Sequence, residues 1–225
     1  MSYANVLVAI PAYNEELYIK KVIEEARKYA PVVVVDDGSN DKTAEIAASL
    51  GTRVISHKVN RGYGAAIQSC FAYALEQKAD VLITIDGDGQ HYPGDIPRLL
   101  DEFYTHNCDV VIGSRFLGSQ ENMPEYRKAG IKIINWLANF ACKTSLTDYQ
   151  SGFRCYGKRA LSLPLKNNCM SVSVEFLIKA RREGLIVREI PIKCYYHRNS
   201  STYNPVIHGF TVALSTILLR IKNLC

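Results

Sequence analysis

The sequence predicts an α/β fold in which a mostly parallel central sheet is flanked by helices. Two observations support this fold class. Short apolar runs of strand length alternate with helix-like stretches from residue 5 onward, as in chains that build parallel sheets. The runs are mostly Val, Ile and Leu, which is typical of strands buried on both faces. With 225 residues, 48% of them hydrophobic, the chain can bury a sizeable core.

Five strands are predicted, at residues 5–10, 32–36, 53–56, 81–85 and 110–113. Helices are predicted after them, at about residues 15–29, 41–50, 64–77, 94–106 and 126–141. Ser39 or Asn40 is expected to begin the second helix and Asp95 the fourth, as caps or first-turn acids. The alternation weakens after residue 113, so the second half of the chain is predicted to elaborate the sheet.

One domain is predicted for residues 1–205, followed by an amphipathic C-terminal helix at residues 206–225. The apolar stretch of that tail, residues 209–219, is shorter than the ~20 residues that cross a bilayer. Three roles stay open for it: lying in a membrane interface, contacting a membrane-spanning partner subunit, or closing the core. The N-terminus lacks the pattern of a signal peptide, so a cytoplasmic location is expected.

The net charge of +5 is mildly basic, and the Lys and Arg residues are spread along the chain. This distribution favours an anionic ligand or a membrane surface, and it does not indicate nucleic acid as a partner.

The seven cysteines are far apart and include no C-x-x-C pair, which argues against a zinc knuckle and a disulfide framework.

Polar runs follow the first two predicted strands, at residues 11–16 and 36–41. Ligands of open parallel sheets bind outside the carboxyl ends of the strands, so both runs are expected to face one ligand. A Tyr ring stacks on a base or ribose, and a carboxylate accepts hydrogen bonds from ribose hydroxyls or base N–H groups. We predict a nucleoside pocket with Asp37 and Glu15 as its main residues. Ordinary caps and turns are the alternative.

The fourth predicted strand ends in a Gly-rich turn that carries two carboxylates one residue apart, Asp86 and Asp88. Mg²⁺ or Mn²⁺ held by one or two carboxylates keeps positions open for diphosphate oxygens. A metal site formed by these residues and Gln90 is therefore predicted, with a capped turn as the alternative. A calcium loop of the EF-hand kind is excluded, because His91 and Pro97 stand at its glycine and closing-glutamate positions.

The run at residues 60–64 is not a dinucleotide-binding fingerprint, because Ile67 stands where the third glycine belongs. Its two glycines either let the backbone approach a ligand or begin a helix tightly.

Four arginines are candidates for phosphate binding, since the planar guanidinium suits phosphate oxygens: Arg61, Arg115, Arg154 and Arg198. Taken singly, an arginine is more often a solvated surface residue.

The predicted fifth helix mixes basic residues with Ile, Trp, Leu and Phe at helical spacing. A helix of this composition can lie in a membrane interface. A plain amphipathic helix that packs on the sheet is the alternative.

Six motifs in this order resemble those of the family 2 glycosyltransferases, most closely the dolichol-phosphate mannose synthases and related polyprenyl-phosphate sugar transferases. They are residues 11–15, 36–39, 60–64, 86–88, 113–115 and 151–154. The likeness covers about residues 5–205. Each motif is weak alone, and the six together in the family's order are specific.

The resemblance implies a GT-A fold, which is Rossmann-like, and an inverting, metal-dependent transfer from a nucleotide-sugar donor. GDP-mannose is the first donor implied and UDP-glucose the next, with Mg²⁺ or Mn²⁺ as cofactor. The acceptor implied is a polyprenyl (dolichyl) phosphate, which would place the protein peripherally at the cytoplasmic face of a membrane. A family member that uses a saccharide or other hydroxyl acceptor, and a non-catalytic nucleotide-sugar-binding homologue, stay open.

The motifs and the resemblance together give a set of expected site residues. Those for the nucleotide sugar are Pro11, Ala12, Tyr13, Glu15, Val35, Asp37, Arg61, Asp86, Gly87 and Arg115. Those for catalysis are Asp88, Arg115 and Arg198, and those for the metal are Asp86, Asp88 and Gln90. Those for the acceptor phosphate are Arg154, Arg198, Ser201 and Thr202. The resemblance gives Asp36 a structural role. At residues 198–202 the family's Arg-x-x-Gly-x-Ser-Lys segment is two residues shorter and has no lysine.

Overall fold

The computed structural model describes residues 5–121, 123, 125–139 and 145–196. Within these residues the strands are β1 (Val6–Ala12), β2 (Val32–Asp36), β3 (Arg53–Ser56), β4 (Val81–Thr84), β5 (Val110–Glu121), β6 (Arg154–Gly157) and β7 (Val187–Tyr195). The helices are α1 (Ile19–Ala26), α2 (Thr43–Ser49), α3 (Tyr63–Glu76), α4 (Ile96–Thr105), α5 (Glu125–Asn139), α6 (Lys158–Leu161) and α7 (Val172–Arg182), and a 3₁₀ turn at Pro93–Asp95 precedes α4.

The strands form one seven-stranded sheet in the order β3-β2-β1-β4-β6-β5-β7. All neighbouring pairs are parallel except those of β6, which runs antiparallel to β4 and to β5. The predicted α/β fold with a mostly parallel sheet is therefore confirmed. Each of the five predicted strands is present, and β6 and β7 are additions that the apolar pattern did not indicate.

The core lies on both faces of the sheet because successive strand residues point to opposite sides. In β1, Val8 packs with the cluster under α1 and α4, whereas Ala9 packs with the cluster under α3 and α7. Both residues are fully buried. Two-sided burial explains why the central strands read as continuous apolar runs.

The first helix begins at Ile19 and not at residue 15 as predicted. The preceding loop is bound to the loop after β2 instead: Glu15 N donates to Thr43 Oγ1 at 2.7 Å, and Asn14 has a φ of 57°. The expected cap of α2 also differs, because Asp41, not Ser39 or Asn40, accepts from Thr43 N at 2.9 Å. Asp95 is at the N-terminal cap position of α4, as predicted, although its side chain makes no capping hydrogen bond.

Among the described helices, none is long and apolar enough to cross a bilayer. The predicted tail helix at 206–225, the domain boundary at 205, and Arg198, Ser201 and Thr202 lie outside the described residues.

Candidate active site

The loops after β1 and β2 contact each other, as the positions of the two polar runs indicated. Asn14 N donates to Ser39 Oγ at 2.9 Å, and Asn40 N donates to Asn14 Oδ1 at 2.8 Å. Asp36 accepts from Ser39 N at 3.3 Å, which is the structural role expected of it. The two polar runs therefore form one surface at the carboxyl edge of the sheet.

Several of the predicted donor-binding residues lie where this surface meets the sheet. Pro11 pairs with Val35 in the β1–β2 register, and Ala12 O accepts from Asp37 N at 2.9 Å. Gly87 packs against the Ala12 side chain, so the turn after β4 lies directly beside the end of β1. Tyr13 and Glu15 are partly buried in the same region, and the Arg61 side chain is exposed.

Asp37, directly after β2, is a buried carboxylate held by three hydrogen bonds. It is 3% exposed. Its Oδ1 accepts from Arg61 N at 3.0 Å and lies 2.6 Å from His57 Nδ1, and its Oδ2 accepts from Gly62 N at 2.8 Å. Sequence reasoning missed His57, because it follows a short edge strand and belongs to no motif.

The glycines at positions 62 and 64 allow a close approach between two segments of the chain. A Cβ at either position would overlap backbone atoms of residues 167–168, and Gly64 N donates to Asn168 O at 2.9 Å. Gly62 also has a φ of 95° at the beginning of α3, a conformation that favours glycine. Of the two uses left open by the sequence, a tight helix start is present, and the approaching backbone is the protein's own.

Asp86 and Asp88 lie on the turn after β4, next to the end of β1. Asp86 Oδ1 accepts from Tyr63 Oη at 3.2 Å, and its Oδ2 lies 3.7 Å from His91 Nε2. Asp88 Oδ1 accepts from Gln90 N at 3.0 Å. Both carboxylates are partly exposed, whereas Gln90 is buried.

Gly152 lies against the Asp86 carboxylate, so closely that a Cβ at this position would overlap it. Thr84 Oγ1 donates to Gly152 O at 2.8 Å and fixes this approach. Gly152 belongs to one of the six motifs, but its contact with Asp86 depends on the pairing of β4 with β6 and could not be predicted from the sequence.

The site carries a concentration of negative charge that a cation would relieve. Burial, and then the charges of Asp88 and Asp86, raise the pKa of Glu15 to about 8. Burial and the charge of Asp88 also raise the pKa of Asp86. Burial, aided by the charge of Arg115 and opposed by that of Asp86, lowers the pKa of His91 to about 4, so this imidazole is neutral at pH 7.

The residues present fit a hard divalent cation held by few protein ligands. Within the described part of the chain, no group of three or more His, Cys, Asp or Glu side chains is close enough to hold a metal ion. Mg²⁺ commonly binds through one or two carboxylates and takes its remaining ligands from water and substrate phosphates. The pair Asp86 and Asp88 suits that mode of binding.

Arg115 is bound inside the protein by Asp148. Its Nε and Nη2 each donate to an Asp148 carboxylate oxygen at 2.7 Å, and its Nη1 donates to Tyr196 Oη at 3.2 Å. Burial alone would raise the pKa of Asp148, but the Arg115 guanidinium outweighs it and lowers that pKa. The charge of Arg115 opposes the rise in the pKa of Asp86, so the ion pair lies near the turn after β4.

Glu189 on β7 holds the loop that carries Asp148. It accepts from Thr147 N at 2.8 Å and from Asp148 N at 3.0 Å. Burial raises the pKa of Glu189, although these hydrogen bonds oppose the rise. Neither Asp148 nor Glu189 was among the predicted residues, since neither gives a local signal of pairing.

Arg154 lies in the core and not at a surface. It is 1% exposed, and it donates to Tyr149 O at 2.6 Å and to Ser173 O at 3.3 Å. Its Nε is buried and has no hydrogen-bond partner. This burial does not favour the predicted contact with an acceptor phosphate.

The helix α5 has apolar side chains on two faces. Ile134 and Ala138 pack in the core, which is the amphipathic packing that the sequence left open. On the other side, Ile133 and Trp136 are 57% and 66% exposed. Asn135 accepts from Tyr149 N at 3.1 Å, so α5 is joined to the loop that precedes β6.

Comparisons with known proteins agree with this geometry. The model of the family described as Glycosyl transferase family 2 matches residues 7–163. The UDP-N-acetylglucosamine–dolichyl-phosphate N-acetylglucosaminyltransferase of Methanococcus voltae is 31% identical, over 96% of this chain and 96% of that protein. The dolichyl-phosphate hexose transferase of Haloferax volcanii is 30% identical, over 96% of this chain and 94% of that protein.

Among solved structures, glucosyl-3-phosphoglycerate synthase of Mycobacterium tuberculosis superposes with a TM-score of 0.76 at 20% identity, over 96% of this chain and 78% of that chain. That structure contains Mn²⁺, uridine diphosphate and phosphoglyceric acid. The likeness establishes that the described residues have the GT-A fold.

Proposed function

We propose that this chain, which belongs to glycosyl transferase family 2, transfers a hexose from a nucleotide sugar to a polyprenyl phosphate with inversion at the anomeric carbon. The observation that carries the proposal is that Asp37 and the turn with Asp86 and Asp88 both lie beside Ala12 at the end of β1, at one edge of the sheet. A nucleoside diphosphate needs both parts: acceptors for its nucleoside and a cation for its phosphates. Mannose is the first sugar proposed and glucose the next.

On the donor side, Asp37, Tyr13 and Glu15 would bind the nucleoside, with the strand-end backbone around Pro11 and Val35. Asp86 and Asp88, with Gln90 beside them, would hold Mg²⁺ or Mn²⁺. When bound, such an ion offsets the charge that builds on the departing nucleoside diphosphate. The exposed Arg61 and the charge of the buried Arg115 would favour the donor phosphates.

The proposed nucleophile is an oxygen of the lipid phosphate. A phosphate monoester has a second pKa near ~6 and is largely ionised at neutral pH, so it needs no protein base. A saccharide hydroxyl would need a carboxylate base within reach. Two buried acids of the described residues are engaged elsewhere, because Asp148 is paired with Arg115 and Glu175 with Lys179.

The lipid is proposed to reach the site along α5. The outer face of this helix exposes Ile133 and Trp136, with Lys132 also exposed, and such a face suits a membrane interface. The relatives in Methanococcus voltae and Haloferax volcanii act, by their names, on dolichyl phosphate. A peripheral position at the cytoplasmic face follows from this acceptor. The tail and Arg198, Ser201 and Thr202 would complete the acceptor side, with or without a membrane-spanning partner subunit.

Transfer of labelled sugar tests the proposal. GDP-mannose, UDP-glucose and UDP-N-acetylglucosamine would each be incubated with polyprenyl phosphate in vesicles, with Mg²⁺, Mn²⁺ or EDTA. We expect label in the lipid fraction from one donor, lost with EDTA and lost at least ~100-fold in Asp88→Ala. Glu76→Ala, an exposed acid at the far end of α3, is the matched control and should stay active. Label in a water-soluble saccharide, with none in the lipid, would overturn the lipid acceptor.

A further inference from the structure

His57 contacts the side chains of Asp37 and Ser69, which come from different elements, next to the proposed nucleoside pocket. Its Nδ1 lies 2.6 Å from Asp37 Oδ1, and its Nε2 lies 2.9 Å from Ser69 Oγ. The His57 and Asp37 side chains are only 6% and 4% exposed. Asp37 follows β2, His57 follows β3 and Ser69 lies in α3. These contacts therefore depend on the tertiary fold.

The surroundings determine which ring nitrogen carries the proton. Asp37 accepts from the backbone N–H groups of Arg61 and Gly62, and these groups only donate. These donors point at the acceptor oxygens of the carboxylate, so the hydrogen at the 2.6 Å contact is assigned to His57 Nδ1, which donates to Asp37 Oδ1. In this tautomer, Nε2 accepts from the Ser69 hydroxyl. Both nitrogens are thus used to hold the ring, and through it the carboxylate.

The same order of atoms occurs in Ser-His-Asp nucleophile triads, but two features argue against that chemistry here. Ser69 lies inside α3, where backbone N–H groups are used within the helix and cannot form an oxyanion hole. Asp37 also accepts from two loop amides, which hold it together with His57. The arrangement therefore suits a fixed acceptor better than an activated nucleophile.

We propose that His57, held by Ser69, is a positioning residue for nucleoside recognition, because it fixes the Asp37 carboxylate so that Oδ2 is presented to the donor nucleoside. Oδ1 takes the hydrogen bonds from His57 and Arg61, whereas Oδ2 takes one from Gly62. A carboxylate oxygen accepts two hydrogen bonds, so Oδ2 can accept one more, from a base N–H or a ribose hydroxyl. This inference rests on the proposed function.

The test compares binding of a nucleoside diphosphate with binding of pyrophosphate, both with Mn²⁺, by calorimetry. His57→Leu removes the donor to Asp37, and we expect the nucleoside diphosphate to bind roughly 10- to 100-fold more weakly. Pyrophosphate, which lacks the nucleoside, should bind within about twofold of wild type. In turnover, the donor KM should rise while kcat is retained. Ser69→Ala should weaken nucleoside diphosphate binding by roughly 2- to 10-fold.

His57→Asn is the conservative variant, because its amide N–H can replace Nδ1–H, and it should recover most of the affinity. Should His57→Leu fail to fold, His57→Asn and Ser69→Ala carry the test. Wild-type affinity for the nucleoside diphosphate in folded His57→Leu, or equal losses for both ligands, would overturn the inference. Asp37→Asn separates the two proposals. Wild-type affinity of Asp37→Asn for the nucleoside diphosphate would contradict the nucleoside role of Asp37. Weak binding by Asp37→Asn together with wild-type binding by His57→Leu would contradict only the role of His57.

Discussion

The parallel half of the sheet, β1 to β4, and the mixed half, β5 to β7, hold their polar side chains by different means. In the parallel half, backbone amides bind the carboxylates: Asp88 accepts from Gln90 N two residues away in the same turn, and Asp37 accepts from Arg61 N and Gly62 N of a neighbouring loop. In the mixed half, charged side chains bind each other or distant loops. Arg115 and Asp148 are 33 residues apart, and Glu189 holds Thr147 across 42 residues. Turns that carry a local motif can be predicted from the sequence, whereas contacts between residues far apart in the chain cannot.

The largest effect is expected from breaking the pair that defines the mixed half. Asp148→Asn leaves the Arg115 charge buried without its counter-ion, which should lower the free energy of unfolding by about 3–5 kcal/mol. Urea unfolding at pH 7 measures this. Because the pKa of Asp148 is lowered in the folded protein, its contribution is present above ~3.9, the ordinary value, and is lost as the pH falls.

The matched control is Asp80→Asn, which breaks the pair with Lys158 at 2.5 Å, whose side chains are 33% and 69% exposed. Such surface pairs contribute about 0–1 kcal/mol. Equal losses in the two variants would mean that Asp148 does not hold the mixed half together.

The next effect concerns the place where the two halves meet, at Gly152 and Asp86. In Gly152→Ala the new Cβ must displace the Asp86 carboxylate or the loop. A displacement of about 1 Å near the reacting groups can lower kcat roughly 100-fold. The melting temperature of Gly152→Ala should change less than that of Asp148→Asn. Gly130→Ala on α5, where a Cβ would meet nothing within 4 Å, should keep full activity. Similar activity in both variants would show that the Gly152 contact does not position Asp86.

A smaller effect is expected from the acidic cluster of the parallel half. The pKa of Glu15 rises from 4.5 to about 8 on folding, so the folded protein binds a proton between these values that the unfolded chain has released. Without metal, the stability contribution of Glu15 is therefore full at low pH and is lost as the pH rises from 4.5 towards 8. Glu15→Gln should flatten this decline, which thermal unfolding across that pH range measures. Identical pH profiles for wild type and variant would contradict the raised pKa of Glu15, which burial and then the neighbouring carboxylates cause.

The sequence predicted the parallel half well because its strands are apolar runs bounded by turn residues. It did not predict β6, which begins with the buried Arg154 and ends with Gly157, or β7, which lies at an edge and has alternating burial. The expectation that Arg154 meets a phosphate came from the planar guanidinium, which suits phosphate oxygens. Its two carbonyl partners, Tyr149 and Ser173, could be recognised only from the tertiary structure.

The residues of the candidate site divide in the same way into those that could be predicted from local sequence and those that could not. Asp37, Asp86 and Asp88 stand at strand ends and could be proposed from residue type and spacing. His57 and Glu189 act through partners 20 and 42 residues away. No local pattern distinguishes them from other polar residues.

The position of β6 has a consequence for the order in which the chain can fold. β4 and β5 do not pair with each other, because β6 lies between them and pairs with both. The sheet therefore stays open at β4 until residues 154–157 have been synthesised and have returned to its edge. Non-local pairings form slowly, and domains generally fold as units. The Asp86 environment therefore depends on a late part of the chain, because Gly152, which lies against the Asp86 carboxylate, arrives only with β6.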